Sequence, residues 1–185
     1  MSRPTEPFKT GLSFEAFLET TESSPERFEF VHNEMFLMAG GTARHNRLAF
    51  ALAMRLEAAS ENADCRVYLL DMFIRTPNEH AYLPDVFVTC DESEDAPRVR
   101  RKPCFIAEIL SESTEAVDRG EKFLNYRLIP ELKTYVLLSQ DVTRAEVFTR
   151  QDDGAWRLEI LEGDAVLHVP CLNANVSLPE LYRAL

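Results

Sequence analysis

Apolar residues recur along this chain with two periods, and the changes of period mark its elements. Leu48, Leu52 and Leu56 fall every four residues beside Ala49, Ala53 and Ala59. This single stripe predicts an amphipathic helix lying close on a sheet through its small alanines. Gly40-Gly41-Thr42 breaks the strand before it and caps the helix. Ser13 opens an earlier short helix over residues 14–18, where Glu15 and Glu19 suit the first turns. Residues 27–31 and 35–38 flank His32-Asn33-Glu34 and predict a β-hairpin with Asn33 in the tight turn.

Three β-rich runs follow, 66–75, 82–90 and 104–110, divided by Pro77-Asn78 and by a charged loop holding Pro97 and Pro103. A helix over 115–128 comes next, with Thr114 as its cap and Pro130 closing it. Residues 133–139, 144–150, 156–161 and 165–169 read as strands, Asp153-Gly154 as a hairpin turn, and 178–185 as a last helix. No repeat, low-complexity tract or linker divides residues 1–185. The order predicts one α/β (α+β) domain, a mixed central sheet flanked by helices with a C-terminal strand meander.

Composition narrows the class. The 185 residues can bury a full core, and 45% apolar with 28% charged is the balance of a globular chain. No apolar stretch reaches the length of a membrane span, and residues 1–7 lack the basic-then-apolar pattern of a signal peptide. A cytoplasmic location and no membrane partner are therefore expected. Cys65, Cys90, Cys104 and Cys171 are widely spaced with no Cys-x-x-Cys pair. They read as small buried residues in a reducing compartment, and zinc is not expected.

Asp85 and Glu108 are anomalous, because each sits on a run bound for the core. A buried unpaired carboxylate costs several kcal/mol or gives up its charge. Alternation places Leu83, Asp85 and Phe87 on one face of the earlier run and Ile106, Glu108 and Leu110 on one face of the later. If these strands are neighbours in register, the two acids meet at metal-bridging reach. Hard oxygen ligands suit Mg²⁺ or Mn²⁺, with the main-chain carbonyl of Ile109 as a further donor. Lys122, on the helix just downstream, supplies an ammonium to orient water or offset charge in a transition state. Carboxylate, carboxylate and lysine point to metal-assisted phosphodiester hydrolysis.

The net charge of −11, from 20 basic and 31 acidic residues, argues against a nucleic-acid partner. Arg98, Arg100, Arg101 and Lys102 form a basic run, but Asp91-Glu92-Ser93-Glu94-Asp95 stands beside it. Adjacent runs of opposite sign read as a solvated loop.

Leu83-Pro84-Asp85-Val86-Phe87-Val88, Ile106-Ala107-Glu108-Ile109-Leu110-Ser111 and Asp118-Arg119-Gly120-Glu121-Lys122-Phe123 resemble, in order and spacing, the Uma-type family. That family consists of bacterial restriction-endonuclease-like proteins of the PD-(D/E)XK nuclease superfamily. The resemblance extends from Arg27-Phe28-Glu29-Phe30-Val31 through Gly40-Gly41-Thr42-Ala43-Arg44-His45 to Tyr135-Val136-Leu137-Leu138, about three quarters of the chain. It implies a restriction-endonuclease-like fold, with Asp85 as the motif aspartate and Glu108 as the second acid. The superfamily lysine stands two residues after the second acid, where this chain has Leu110. The resemblance implies that Lys122 takes that role from the helix. Ser111-Glu112-Ser113-Thr114 and His32-Asn33 also depart from the family pattern, at loops rather than at ligands.

Other residues carry two readings each. Glu29, between Phe28 and Phe30, is either an additional acid of the site or an outward-facing strand residue. His45 either binds phosphate or moves protons, or is a surface or capping group. Asp71 is either a neighbour of the metal site or a residue at a strand edge or bulge. Asp118 and Lys122 form an intrahelical ion pair on the simplest reading, worth roughly 0.2–0.5 kcal/mol, and Tyr126 continues that face as packing. Ser111, Ser113 and Thr114 suit helix capping, and His32, His80 and His168 suit structural roles. The expected function is a metal-dependent endonuclease acting on DNA, with edge pairing of the C-terminal strands offering a homodimer. The alternative is a catalytically inactive nuclease-fold binding or regulatory module, which the acidic charge and Leu110 favour.

Overall fold

The computed structural model describes residues 6–61, 63–93, 96–183 and 185. Residues 1–5, on which most of the signal-peptide reading rests, lie outside them, as do Glu94 and Asp95 of the acidic run and Ala184 of the last helix. In chain order the first elements are β1 (Lys9–Thr10), α1 (Phe14–Glu22), β2 (Phe28–Val31), β3 (Glu34–Leu37) and α2 (Ala43–Ser60). Then come β4 (Arg66–Leu69), β5 (Phe73–Arg75), β6 (Ala81–Tyr82), β7 (Val86–Thr89), β8 (Val99–Arg100) and β9 (Pro103–Leu110). The helical stretch is α3 (Glu115–Val117), a π-helical turn (Asp118–Lys122) and α4 (Phe123–Tyr126). Last are β10 (Thr134–Ser139), β11 (Arg144–Arg150), β12 (Trp156–Glu162), β13 (Val166–Val169), a 3₁₀ turn (Pro170–Leu172), β14 (Ala174–Ser177) and α5 (Leu178–Tyr182).

The described residues form two six-stranded sheets, ordered β1-β3-β2-β6-β5-β8 and β12-β11-β10-β9-β7-β4, with β13-β14 as a separate pair. In the second sheet β9 and β10 are parallel and the other pairings antiparallel. This is the mixed α+β architecture that the element order predicts.

β9 is buried over its whole length and separates two cores. On one face Phe105, Ala107 and Ile109 meet Val86, Val88 and the leucine stripe of α2. Leu48, Leu52 and Leu56 are fully buried there, each contributing roughly 1.5–3 kcal/mol. On the other face Ile106 and Leu110 pack with Phe87, Tyr126, Ile129 and Leu132. Glu108 falls on this second face by the strand's alternation. A third cluster packs Phe14 and Phe17 of α1 on Phe28, Phe30 and Phe73 of the first sheet.

Three sequence expectations change. The run 66–75 is two strands in different sheets, because Leu70 (φ 44°) and Asp71 (φ 51°) turn the chain through the left-handed region. The run 82–90 is likewise divided between β6 and β7, with Pro84 at the break where it can give no ladder hydrogen bond. The cysteines are not separate buried residues: Cys65 is bonded to Cys90 and Cys104 to Cys171, and Cys90 is exposed. Strand alternation does not reveal this, because the convergence is made at the ends of elements far apart in sequence. The short strands β1, β8 and β14 were not expected. The turn at His32 (φ 53°) and Asn33 (φ 64°) joins β2 to β3 as predicted. No helix among the described residues is long and apolar enough to cross a membrane.

Candidate functional site

Asp85 occupies the bend between β6 and β7, and Glu108 lies in the second half of β9. The strands β7 and β9 are antiparallel with Val86 opposite Ala107, which sets Asp85 beside Glu108. The Asp85 main-chain N–H donates to Glu108 Oε2 at 3.4 Å, and the Ile109 N–H donates to Asp85 Oδ2 at 2.8 Å. Each carboxylate is thus held by the backbone of the other's segment. Both side chains are buried.

Lys122 reaches this pair from the π-helical turn. Its Nζ donates to Glu108 Oε1 at 3.1 Å. Glu29 Oε1 from β2 and Asp118 Oδ1 from one turn earlier also stand 3.1 Å from Nζ, as ion-pair contacts without hydrogen-bond alignment. The space two residues after Glu108 is filled by Leu110 in the core, so the ammonium enters from the neighbouring helix instead. The turn itself is tied down from several sides. Tyr135 Oη donates to the Asp118 carbonyl at 3.0 Å, and Arg119 bridges Glu115 and Glu146. The Arg150 guanidinium donates to the carbonyls of Arg127, Ile129 and Leu132, satisfying groups that a helix C-terminus leaves without partners. A π-helical turn inside an α-helix is itself frequent at functional sites.

The electrostatics follow from burial and charge count. Burial pushes the Glu108 carboxyl well above the ordinary carboxylate range; Lys122 pulls it back, while Asp118, Asp85 and Glu29 push it further up. Burial alone would lower Lys122, yet Asp118, Glu108 and Glu29 outweigh it and hold the ammonium well above its ordinary range. Tyr126 donates to Glu108 Oε1 at 3.1 Å, and burial followed by the Glu108 charge raises its phenol. Tyr82 is raised by burial, then by Glu121 and Glu29; it donates to Glu121 and accepts from Asn125 Nδ2 at 2.6 Å. Lys122 and these phenols therefore hold their protons.

His45 approaches from the start of α2, with Nε2 3.0 Å from Asp85 Oδ2. Thr42 caps the helix by accepting from the His45 N–H at 3.1 Å. A Cβ on Gly41 would meet His45 Nδ1 at 2.9 Å, so glycine at 41 leaves room for the imidazole. Gln140, at the end of β10, accepts from the Thr42 hydroxyl and donates to the Leu110 carbonyl, joining this loop to β9.

A cavity of ≈ 360 Å³ opens over these groups, lined by Asp85, Glu108, Asp118, Lys122, His45 and the Gly40-Gly41 segment, among others. Glu29 contacts Lys122 from behind and is buried, so the outward-facing reading does not hold. Asp71 does not line this cavity; it sits on a turn and pairs at 3.3 Å with Nε of Arg27, which does. In the basic run, Arg100 pairs with Glu92 and Lys102 with Asp91, so acidic neighbours neutralise it as expected, but the run is half-buried and includes β8 rather than forming a solvated loop. Thr114 gives no side-chain cap; its hydroxyl lies 3.1 Å from Ser111 Oγ, while the Ser111 carbonyl accepts from the N–H of residues 114 and 115. Sequence reasoning undervalued Asp118 and Tyr126, which looked like an ion pair and packing. Their spacing, eight from one another and four each from Lys122, was the available signal. It missed Gln140, for which the sequence holds no signal.

Among the described residues, Glu29, Asp85, Glu108 and Asp118 surround one ammonium and one imidazole. Such an excess of buried negative charge is relieved by protons or by a cation. Carboxylate oxygens on a rigid strand pair, opening into a cavity, are the donor set a hard divalent ion takes.

Comparison with known proteins bears on the family and the fold. The Uma2 family, described as "Putative restriction endonuclease", matches residues 14–180. Two Synechocystis sp. proteins are similar along their length. Uncharacterized protein slr1290 is 31% identical over 98% of this chain and 96% of its own. Uncharacterized protein sll1609 is 32% identical over 83% of this chain and 89% of its own. A crystal structure from Anabaena variabilis, described as "a putative nuclease belonging to DUF820", superposes with a TM-score of 0.74 at 15% identity, covering 94% of this chain and 99% of that one. The fold is that of this restriction-endonuclease-like neighbour.

Proposed function

The chain belongs to the Uma2 family of restriction-endonuclease-like proteins, and we propose that it hydrolyses DNA phosphodiester bonds with a divalent cation, Mg²⁺ or Mn²⁺, at Asp85, Glu108 and Lys122. The observation that carries this reading is the placement of Lys122 Nζ at 3.1 Å from Glu108 Oε1 while Glu108 also abuts Asp85. A merely structural ion pair on the helix needs Asp118 alone.

Asp85 and Glu108 are the residues that would hold the cation. When bound, such an ion polarises a phosphate oxygen and lowers the pKa of water. Lys122 keeps Glu108 oriented and brings a fixed positive charge to where a phosphoryl transition state gathers negative charge. Glu29 and Asp118 hold the ammonium in place. His45, with Nε2 3.0 Å from Asp85 Oδ2, is positioned to orient that carboxylate. With a net charge of −11, the bare site repels a phosphodiester. Cation binding therefore precedes DNA binding. Cutting both strands takes two sites, and β12, an edge strand with Leu158 and Ile160 exposed, is where a second copy would pair.

The test is incubation of the purified chain with supercoiled plasmid and Mg²⁺ or Mn²⁺. Nicked or linear product that disappears on adding EDTA is expected. Intact plasmid with every divalent ion tried, or equal cleavage in EDTA, overturns the proposal.

A further inference from the structure

At the opposite end of β7 and β9 from Asp85 and Glu108, the chain's four cysteines converge. Cys65 follows α2, Cys90 follows β7, Cys104 is near the start of β9, and Cys171 lies in the 3₁₀ turn after β13. The sulfurs are joined as Cys65–Cys90 and Cys104–Cys171, yet the two pairs touch. Cys90 Sγ and Cys104 Sγ, which are not bonded to each other, lie 3.7 Å apart. The sulfurs of Cys90, Cys104 and Cys171 all fall within 4.8 Å of one another. Cys65 Sγ is 4.0 Å from the Cys171 carbonyl oxygen.

Three sulfurs lie within 4.8 Å of one another and the fourth, Cys65 Sγ, is bonded to one of them, so the group has two chemical states, two disulfides or four thiolates around a soft cation. We propose that the reduced cluster is a tetrahedral Zn²⁺ site made by Cys65, Cys90, Cys104 and Cys171. A Zn–S bond of about 2.3 Å gives a sulfur–sulfur edge of about 3.8 Å in a tetrahedron, which the Cys90–Cys104 separation already matches. Sequence separations of 25 and 67 residues between bonded cysteines conceal the cluster, because no short ligand motif announces it.

From the paired form, a cellular thiol reductant delivers four electrons and four protons, breaking both S–S bonds to give four thiols. Zn²⁺ then displaces the four thiol protons and forms four Zn–S bonds, leaving the centre with a net charge of −2. Arg66 stands beside it, its guanidinium donating to the Cys65 carbonyl at 2.9 Å, to offset that charge. The deeper sulfurs, Cys65 and Cys104, are buried against the core around α2. Cys90 is exposed beside a surface cavity lined by Asp64, Arg66, Thr89 and Glu92, which gives the metal its entry.

Four protein ligands leave no open position, so this zinc is structural. Its place in the fold defines its work. The α2 helix has 18 residues and is about 27 Å long, with His45 at the candidate site and Cys65 past its far end. The zinc clamps that far end to both central strands and to the C-terminal turn. The inference is independent of the nuclease reading.

The full chain is produced in zinc-supplemented medium and purified anaerobically with a non-metal-binding reductant. Elemental analysis is expected to find one zinc per chain, and denaturing mass spectrometry four free thiols. Exchange with Co²⁺ should give the visible absorption of a tetrahedral thiolate complex. Cys104→Ser should lose the metal, and exposed Cys90→Ser serves if the first variant does not fold. Stoichiometric zinc lost in either folded variant supports the site, as does a fall in melting temperature on chelation. Two disulfides persisting without metal in reductant, or zinc retained equally by Cys90→Ser, overturns it.

Discussion

Lys122 Nζ and Glu108 Oε1 lie 3.1 Å apart although one belongs to a π-helical turn and the other to the central strand β9. The lysine is 3% exposed and faces Glu29 and Asp118 as well as Glu108. Removing the charge leaves three buried carboxylates facing one another. Lys122→Met is therefore expected to destabilise the chain by about 3–5 kcal/mol in urea denaturation near neutral pH. The loss should shrink at acid pH, where protonated carboxyls no longer repel. A pH-independent loss would contradict this account of the cluster.

A carboxyl raised well above its ordinary range binds its proton more tightly in the folded chain than in the unfolded one. Its stabilising share is therefore full below about pH 4, the ordinary carboxylate value, and is lost as pH rises through the raised folded value. A cation at Asp85 and Glu108 competes with that proton. Mg²⁺ affinity should rise with pH across this interval, with proton release on binding. Calorimetry in buffers of different ionisation enthalpy measures both, and affinity unaltered by pH would count against Glu108 as a ligand.

Gly41 and His45 make a second coupled pair. Since a Cβ at position 41 would stand 2.9 Å from His45 Nδ1, Gly41→Ala should displace the imidazole from Asp85. We expect DNA cleavage to fall in Gly41→Ala and in His45→Ala, the latter by about 100-fold, the scale of a lost acid–base or positioning group. The double variant should be no worse than His45→Ala. Additive losses would show that Gly41 acts by another route.

Much of this was legible in the chain. The stripe of Leu48, Leu52 and Leu56 gave α2, and the alternation of Ile106, Glu108 and Leu110 gave the face on which Glu108 lies. The departure at Leu110 already pointed to a lysine arriving from the helix. Other features were concealed for physical reasons. The runs 66–75 and 82–90 carry apolar residues on both sides of their breaks, so hydrophobicity does not mark where the chain changes sheet. Asp118 and Tyr126 share Lys122's helical face, and spacing alone does not distinguish contact with Glu108 from solvent exposure or packing. The cysteines meet only because α2, β7, β9 and the 3₁₀ turn end at one place.

The central claim rests on the two acids, and near-isosteric amides test it with the packing preserved. Rates of supercoiled plasmid nicking in Mg²⁺ or Mn²⁺ are to be compared for the unaltered chain, Asp85→Asn and Glu108→Gln, each shown by circular dichroism to be folded. Both variants should cleave at least about 100-fold more slowly, since each removes a charged ligand of the catalytic cation. Cleavage by either folded variant at the unaltered rate would contradict the account.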